Sequence, residues 1–210
     1  MWKMSEREVE GATQLSGKRV KLRRIGLADD VVFTQEFTPN GMRSLLSAVI
    51  GTTADFENIY YYDNLSRMVQ LTQQAQGAGG GYNAVAEKLV DLAYLADGRA
   101  GAITRYADLA RTDLVAESAY GYDDTGRIDS LDHFKSTTTF AGYTWQYNAA
   151  NRVTAFANSE HSAEDSTYGY DDFGQLTSAD RDGSGNDEGY TYDGQNKGVR
   201  NRYCACGQRE

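Results

Sequence analysis

Proline is almost missing from this chain of 210 residues: Pro39 stands alone against 22 glycines. A disordered Pro-rich linker is thereby excluded. Cysteine is confined to Cys204 and Cys206, one residue apart. They are too close to staple a loop and lack neighbouring ligands for a metal, so they read as free thiols in a loose tail. Histidine occurs twice, as His133 and His161, each in a loop-like setting. A Ser/His/Asp triad has no support in that pattern, and surface histidines are expected. No apolar run approaches the ~20 residues of a membrane-spanning helix. The opening residues Met1 to Glu8 lack the apolar core of a signal peptide. A cytoplasmic protein or an internal piece of a longer one is the expectation from that start. Basic charge is also short: 21 Lys and Arg face 30 Asp and Glu, a net charge of -9. Phosphate neutralisation needs a basic surface, so nucleic acid is excluded as the main partner.

What the chain has in quantity is tyrosine, 15 residues, and glycine. Many of both fit short strands and tight turns. They fall in one recurring unit, cleanest at Tyr120-Gly121-Tyr122-Asp123-Asp124-Thr125-Gly126-Arg127-Ile128. In an extended strand Tyr120 and Tyr122 share a face. Asp123 to Gly126 has turn chemistry: the Asp side chain accepts from the backbone two residues on, and Gly tolerates positive φ. Ile128 then opens a return strand, so the unit predicts a β-hairpin.

The unit returns along the chain. One copy carries Tyr60, Tyr62, Asp63 and Arg67. Another carries Tyr168, Tyr170, Asp171 and Gly174. A third replaces Tyr with Trp145, keeps Tyr147, and puts Asn148 and Asn151 where Asp and Gly stand, followed by Arg152. Asn is the next-best residue for both turn positions. Ala84 to Leu95 is ambiguous: Ala86 to Leu92 fits a helix by propensity, but Val90, Leu92 and Tyr94 share a strand face, and the flanking copies decide for a strand followed by a turn with Gly98 and Arg99. Phe37 to Leu45, with Gly41, reads as a worn first copy. Tyr190, Tyr192 and Asp193 open a last one whose register then fails. Leu114 to Tyr122 is expected as one long strand. Counted at the turn Asp or its equivalent, the copies fall at 63, 95, 123, 148, 171 and 193.

The organisation expected is a non-repeat segment over 1–30, a repeat array over 31–197, and an irregular tail over 198–210. Lys18 to Arg24 reads as an edge strand. The Gly-rich stretch at 77–81 lacks the Lys-Ser/Thr of a phosphate loop and reads as an inter-strand loop. The fold class is mainly β: tandem hairpins forming a curved antiparallel sheet.

An array of Tyr-x-Tyr-Asp-x-x-Gly-Arg-Leu units over residues 55–197 resembles the YD-repeat, or RHS-repeat, family. The resemblance implies a segment of a β-shell. It implies contexts too: bacterial wall-associated proteins, secreted polymorphic toxins, toxin-complex subunits, and the teneurins among animal adhesion proteins. In the bacterial toxins a closing region with an autoproteolytic Asp ends the array, and the enclosed toxin follows it. No such region is found after Asp193 in this sequence. Localisation outside the cell or at its surface follows from the resemblance alone. So do the expected partners, the remainder of a longer shell or its enclosed toxin.

Three sets of residues are candidates for chemistry. The tyrosines make a sugar-stacking surface or, on the reading preferred, the packing of paired aromatics across strands. The repeated Asp is a carboxylate candidate for catalysis or a metal, but its replacement by Asn148 in an intact unit suits a turn cap and would disable a base. Asp180, Asp182, Ser184 and Asn186 alternate like the start of a Ca²⁺ loop, yet the bidentate Glu at the twelfth position is Thr191 instead. An exposed acidic turn is the default there. Arg67, Arg99, Arg127 and Arg152 follow their turns and are expected to pair with carboxylates or carbonyls across the hairpin. No catalytic residue or cofactor emerges. A structural module is expected, with a glycan- or partner-binding module as the alternative.

Overall fold

The computed structural model describes residues 2–3, 20–24, 31–76, 85–181, 187–192 and 198–203. Its strands are β1 (Trp2–Lys3), β2 (Val20–Arg24), β3 (Val31–Phe37), β4 (Arg43–Ile50), β5 (Thr53–Tyr62), β6 (Met68–Gln74), β7 (Lys88–Tyr94), β8 (Ala100–Tyr106), β9 (Leu114–Tyr122), β10 (Ile128–Lys135), β11 (Thr138–Tyr147), β12 (Val153–Asn158), β13 (Ser166–Tyr170), β14 (Leu176–Arg181), β15 (Asp187–Tyr192) and β16 (Gly198–Tyr203). The one helical turn among the described residues is a 3₁₀ turn at Ser162–Glu164. The protein is mainly β, built of tandem antiparallel hairpins, as the periodicity predicts.

The chain divides into two units, Met1–Glu117 and Ser118–Glu210, with the division inside β9. In the first unit β1 to β8 pair in chain order, each antiparallel to the next. In the second, β10 to β16 do the same. Lys88–Tyr94 is a strand, so the flanking pattern outweighs its helical propensity. Leu114–Tyr122 forms the long strand expected.

Two expectations need correction. Val20–Arg24 is a strand but not an edge one. It pairs with β1 on one side and β3 on the other, because the alternation of Val20 and Leu22 with charges fits an internal strand of a sheet open to water as well as an edge. Gly198–Tyr203, expected in an irregular tail, is β16. It pairs with β15 from Asp187↔Tyr203 to Tyr192↔Gly198, since a strand edge of unpaired N–H and C=O groups recruits the next segment whatever its side chains. The Gly-rich stretch at 77–81, Asp193, Cys204 and Cys206 lie outside the described residues.

Very little is deeply buried. Among the described residues Ala48, Leu89 and Ala179 are the buried apolar ones, while Leu65, Phe140 and Phe173 are exposed. Among the described residues the hairpins therefore enclose almost no core of their own. What holds one hairpin to the next must lie along the sheet.

Candidate functional site

The repeated turn is built alike in each copy. In the clean unit the Asp123 N–H donates to the Arg127 carbonyl, and the Gly126 N–H donates to the Asp123 carbonyl, both at 2.9 Å. The same pair of bonds closes the turns at Asp63, Leu95, Asn148 and Asp171, and at Thr38 in the worn first copy. The fourth turn residue takes positive φ throughout: Gly41, Ser66, Gly98, Gly126, Asn151 and Gly174. Glycine there avoids the Cβ clash of left-handed backbone, and Asn tolerates it.

The turn carboxylate is occupied. Asp123 Oδ1 accepts from the N–H groups of Thr125 and Arg127 and from the Thr125 hydroxyl, and Oδ2 accepts from Arg127 Nε. Desolvation pushes the Asp123 carboxyl up, but these donors together outweigh it and hold the group well below the usual carboxylate range. Asp63 is held low in the same way, first by the Arg67 N–H and then by its guanidinium. A carboxylate so saturated with donors is a turn cap, unsuited to abstract a proton.

Variation at the turn redirects the arginine. At Leu95 there is no acceptor, and Arg99 grips Asp97 instead through Nε and Nη2 at 2.8 and 2.5 Å. At Asn148 the amide oxygen still caps Ala150 and Arg152, but Arg152 Nε is buried without a hydrogen-bond partner. At Asp171 the following residue is Gln175, whose side chain stays at home on Asp171 Oδ2 at 3.1 Å.

Hairpins within each unit also reach their neighbours. A β-bulge puts one extra residue on the return strand opposite the last aromatic of five hairpins: Ser44, Val69, Gly101, Thr154 and Thr177. In five copies the tyrosine that ends the outgoing strand then donates its hydroxyl to a backbone carbonyl of the hairpin before it. Tyr62 bonds to Arg43, Tyr94 to Met68, Tyr147 to Ile128, Tyr170 to Val153 and Tyr192 to Leu176, all at 2.7–2.8 Å. The acceptor is each time the fifth residue beyond the preceding turn's first. Each bond stabilises the step by about 1 kcal/mol.

The arginines complete the tie. Arg67 lies over the ring of Tyr94 at 4.5 Å, Arg127 over Tyr147 at 4.5 Å, and Arg152 over Tyr170 at 4.9 Å. Such cation–π contacts are worth about 0.5–1 kcal/mol at half-exposed sites. Arg127 Nη1 goes further and donates to the Asn148 carbonyl and Asn151 Oδ1, at 3.1 and 2.7 Å. Arg152 Nη1 lies where a Cβ on Gly174 would be, 2.6 Å from it. Arg67, Arg127 and Arg152 thus span from their own turns to the next hairpin, beyond the pairing within the hairpin that the sequence suggests.

The first aromatic of each pair does something else. Trp145 pairs directly with Phe156 across β11 and β12, with ring centroids 5.8 Å apart. Tyr143 stacks on Phe156 at 6.1 Å. Beside them an open apolar depression of about 540 Å³ is lined by Trp145, Val153, Phe156, Tyr168, Tyr170 and Leu176. Tyr60, Tyr120 and Tyr190 occupy the same repeat position and are half-buried, as is Tyr122.

The remaining candidates do not assemble. Asp180 is exposed at the end of β14, and Asp182, Ser184 and Asn186 lie outside the described residues. Among the described residues no group of His, Cys, Asp and Glu is placed to hold a metal. His133 corrects its expectation: it is half-buried on β10, Nδ1 2.8 Å from Ser118 Oγ and flanked by Phe140 and Tyr143. Neighbouring serine and acidic residues suggest a loop, but Leu131 and His133 alternate as a strand requires. Ser118 is fully buried, so the pair is packing and offers no reachable nucleophile. His161 is exposed, as expected.

No family model and no curated protein matches the chain. Among solved structures it is similar to the Photorhabdus luminescens Tc holotoxin pore, at 13% identity and TM-score 0.45, over 80% of this chain and 10% of that one. It is similar to TcdB2-TccC3 without the hypervariable C-terminal region, at 13% identity and TM-score 0.46, over 95% of this chain and 12% of that one. A porin-like protein from Bacteroides uniformis aligns at 12% identity and TM-score 0.34, over 86% of this chain and 92% of that one. The chain thus spans about a tenth of the length of the two Tc toxin chains.

Proposed function

We propose that this chain is a structural, non-enzymatic module: a segment of β-wall in a larger secreted or cell-surface shell protein of the YD/RHS-repeat kind. The observation that carries the reading is the use made of the repeated residues. Five tyrosine hydroxyls and three arginines join one hairpin to the next, while the turn acids hold the turns they begin. Chemistry that recurs at every step of an array serves the array, whereas a reaction needs one site. The partners on this reading are the remainder of the shell and whatever it encloses.

The test is additive loss of stability. Replacing Tyr62, Tyr94, Tyr147 and Tyr170 by Phe, singly and together, lowers the melting temperature stepwise on this reading. A quadruple variant as stable as the parent contradicts it.

One observation favours the second reading, a glycan- or partner-binding module: the open depression beside Trp145 and Tyr168 has aromatic walls. Trp145→Ala with Tyr168→Ala leaves the hydroxyl bonds intact. Glycan-array binding by the parent that disappears in this folded double variant would establish the binding module over the purely structural one.

A further inference from the structure

The connection from β8 to β9 is built unlike the repeated turns. It covers 107–113, and the Ala107 N–H donates to the Asp113 carbonyl at 2.9 Å, which pinches the loop at its neck. Inside it, the Asp108 carboxylate accepts from the Thr112 N–H and hydroxyl and from the Asp113 N–H, so the loop carries its own bracing. The loop then folds back on β7. The Leu109 N–H donates to Glu87 Oε1 at 3.3 Å, and Arg111 Nε and Nη2 take the two oxygens of Asp91 at 2.7 and 3.0 Å. Gln70 on β6 holds the same carboxylate through Nε2 at 3.0 Å.

The two anchor points bracket one residue. Glu87, Leu89 and Asp91 alternate along β7 and its lead-in, so they share a face. Leu89, between the anchors, is 2% exposed in a sheet that buries little else. Cross-strand pairing continues that face as a row, Leu45↔Ile59, Ile59↔Thr72, Thr72↔Leu89 and Leu89↔Tyr106. Of these five, only Thr72 and Leu89 are buried.

Two features work against the loop's closure. Arg111 has φ +62°, left-handed backbone that strains a residue carrying a Cβ. Its ion pair with Asp91 is half open to water, with side chains 46% and 31% exposed, where such pairs are weak and screened by salt. Strain and latch therefore oppose one another at similar size.

We propose that residues 107–113 form a hinged strap, closed over Leu89 by the Arg111–Asp91 latch and opening at its neck while the sheet stays paired. The strap goes beyond the shell-wall reading and does not depend on it. Opening leaves the ladders of β7 with β6 and β8 intact. It frees Arg111, and it adds Leu89 to Leu45, Ile59 and Tyr106 as one accessible apolar row.

Trypsin digestion of the full chain tests this, because cleavage after Arg111 follows the open population. Cleavage after Arg127, in the other unit, is the control. Asp91→Asn removes the charge of the latch and speeds cleavage after Arg111 by about 2- to 5-fold, the worth of one exposed ion pair. Added salt speeds it in the parent as well. Leu89→Cys, in a chain with Cys204→Ser and Cys206→Ser, reports the cover directly: its thiol labelling quickens by a similar factor once Asp91→Asn is added. A folded Asp91→Asn chain with unchanged cleavage after Arg111 overturns the proposal. So does cleavage that rises equally after Arg127, the mark of general unfolding, or thiol labelling that ignores Asp91→Asn. Should Asp91→Asn fail to fold, a parent whose cleavage after Arg111 is indifferent to salt overturns it as well.

Discussion

The turn at Asp123 and the turn at Asn148 sit in successive hairpins of one unit, and their backbones close identically. Both have the same two backbone bonds, both cap the N–H two and four residues on, and both put the fourth residue at positive φ. Their arginines fare differently. Arg127 has a carboxylate at home and an acceptor in the next turn. Arg152 has neither carboxylate nor partner for its Nε, though it still covers Tyr170. The turn is thus indifferent to Asp or Asn, while the arginine is not. Capping needs only the Oδ1 that Asp and Asn share; anchoring a guanidinium needs a charge.

The comparison can be broken most severely at the tyrosine that both turns share. Tyr147→Ala removes the hydroxyl bond to Ile128, the surface under Arg127 and the ring's packing, and should cost about 2–3 kcal/mol in urea unfolding. Tyr147→Phe keeps the ring and should cost about 1 kcal/mol. Next comes the left-handed position. Gly126→Ala should destabilise by about 1–2 kcal/mol, and Gly126→Asn by much less, because Asn151 already fills that place in the neighbouring turn. The smallest expected mutational effect sharpens the contrast directly. Asn148→Asp supplies the missing partner to Arg152 and should stabilise by about 0.5 kcal/mol, lost again in high salt. A salt-insensitive change would mean that the charge is not what was lacking.

Acid sharpens it further. The carboxyls of Asp63, Asp91 and Asp123 are all depressed in the folded chain, Asp91 chiefly by the Arg111 guanidinium and also by Gln70. A depressed carboxyl contributes stability above its unfolded value of about 3.9, and that contribution is lost as pH falls toward its folded value. The melting temperature should therefore hold from neutral pH to about 5 and fall below about 4. Asp123→Asn should flatten the fall, since Asn keeps the cap and has nothing to protonate.

Much of the hairpin was legible in the residues. Asp or Asn followed three places on by Gly or Asn states a turn, and alternating aromatics state the strand before it. Ser66 at positive φ was not legible, because serine carries no preference for that backbone. The link between hairpins was hidden for a different reason. Its acceptors are backbone carbonyls, which every residue has, and the bulges at five hairpin ends show only as register shifts between strands. The paired tyrosines look equivalent in sequence, yet one faces its cross-strand partner and the other is tied to the previous hairpin. A hint was present in the arginine that follows four of the turns, at 67, 99, 127 and 152. For His133 the misleading signal was composition: nearby serine suits a loop, but Leu131 and His133 sit on a paired strand.

The central claim is that the arginine of one hairpin and the tyrosine of the next act as a pair. A double-mutant cycle of Arg127→Ala and Tyr147→Leu measures it most directly by equilibrium unfolding. The account predicts a coupling of about 0.5–1 kcal/mol, the worth of a half-exposed cation–π contact. Additive single-site losses, with a coupling indistinguishable from zero, would contradict it.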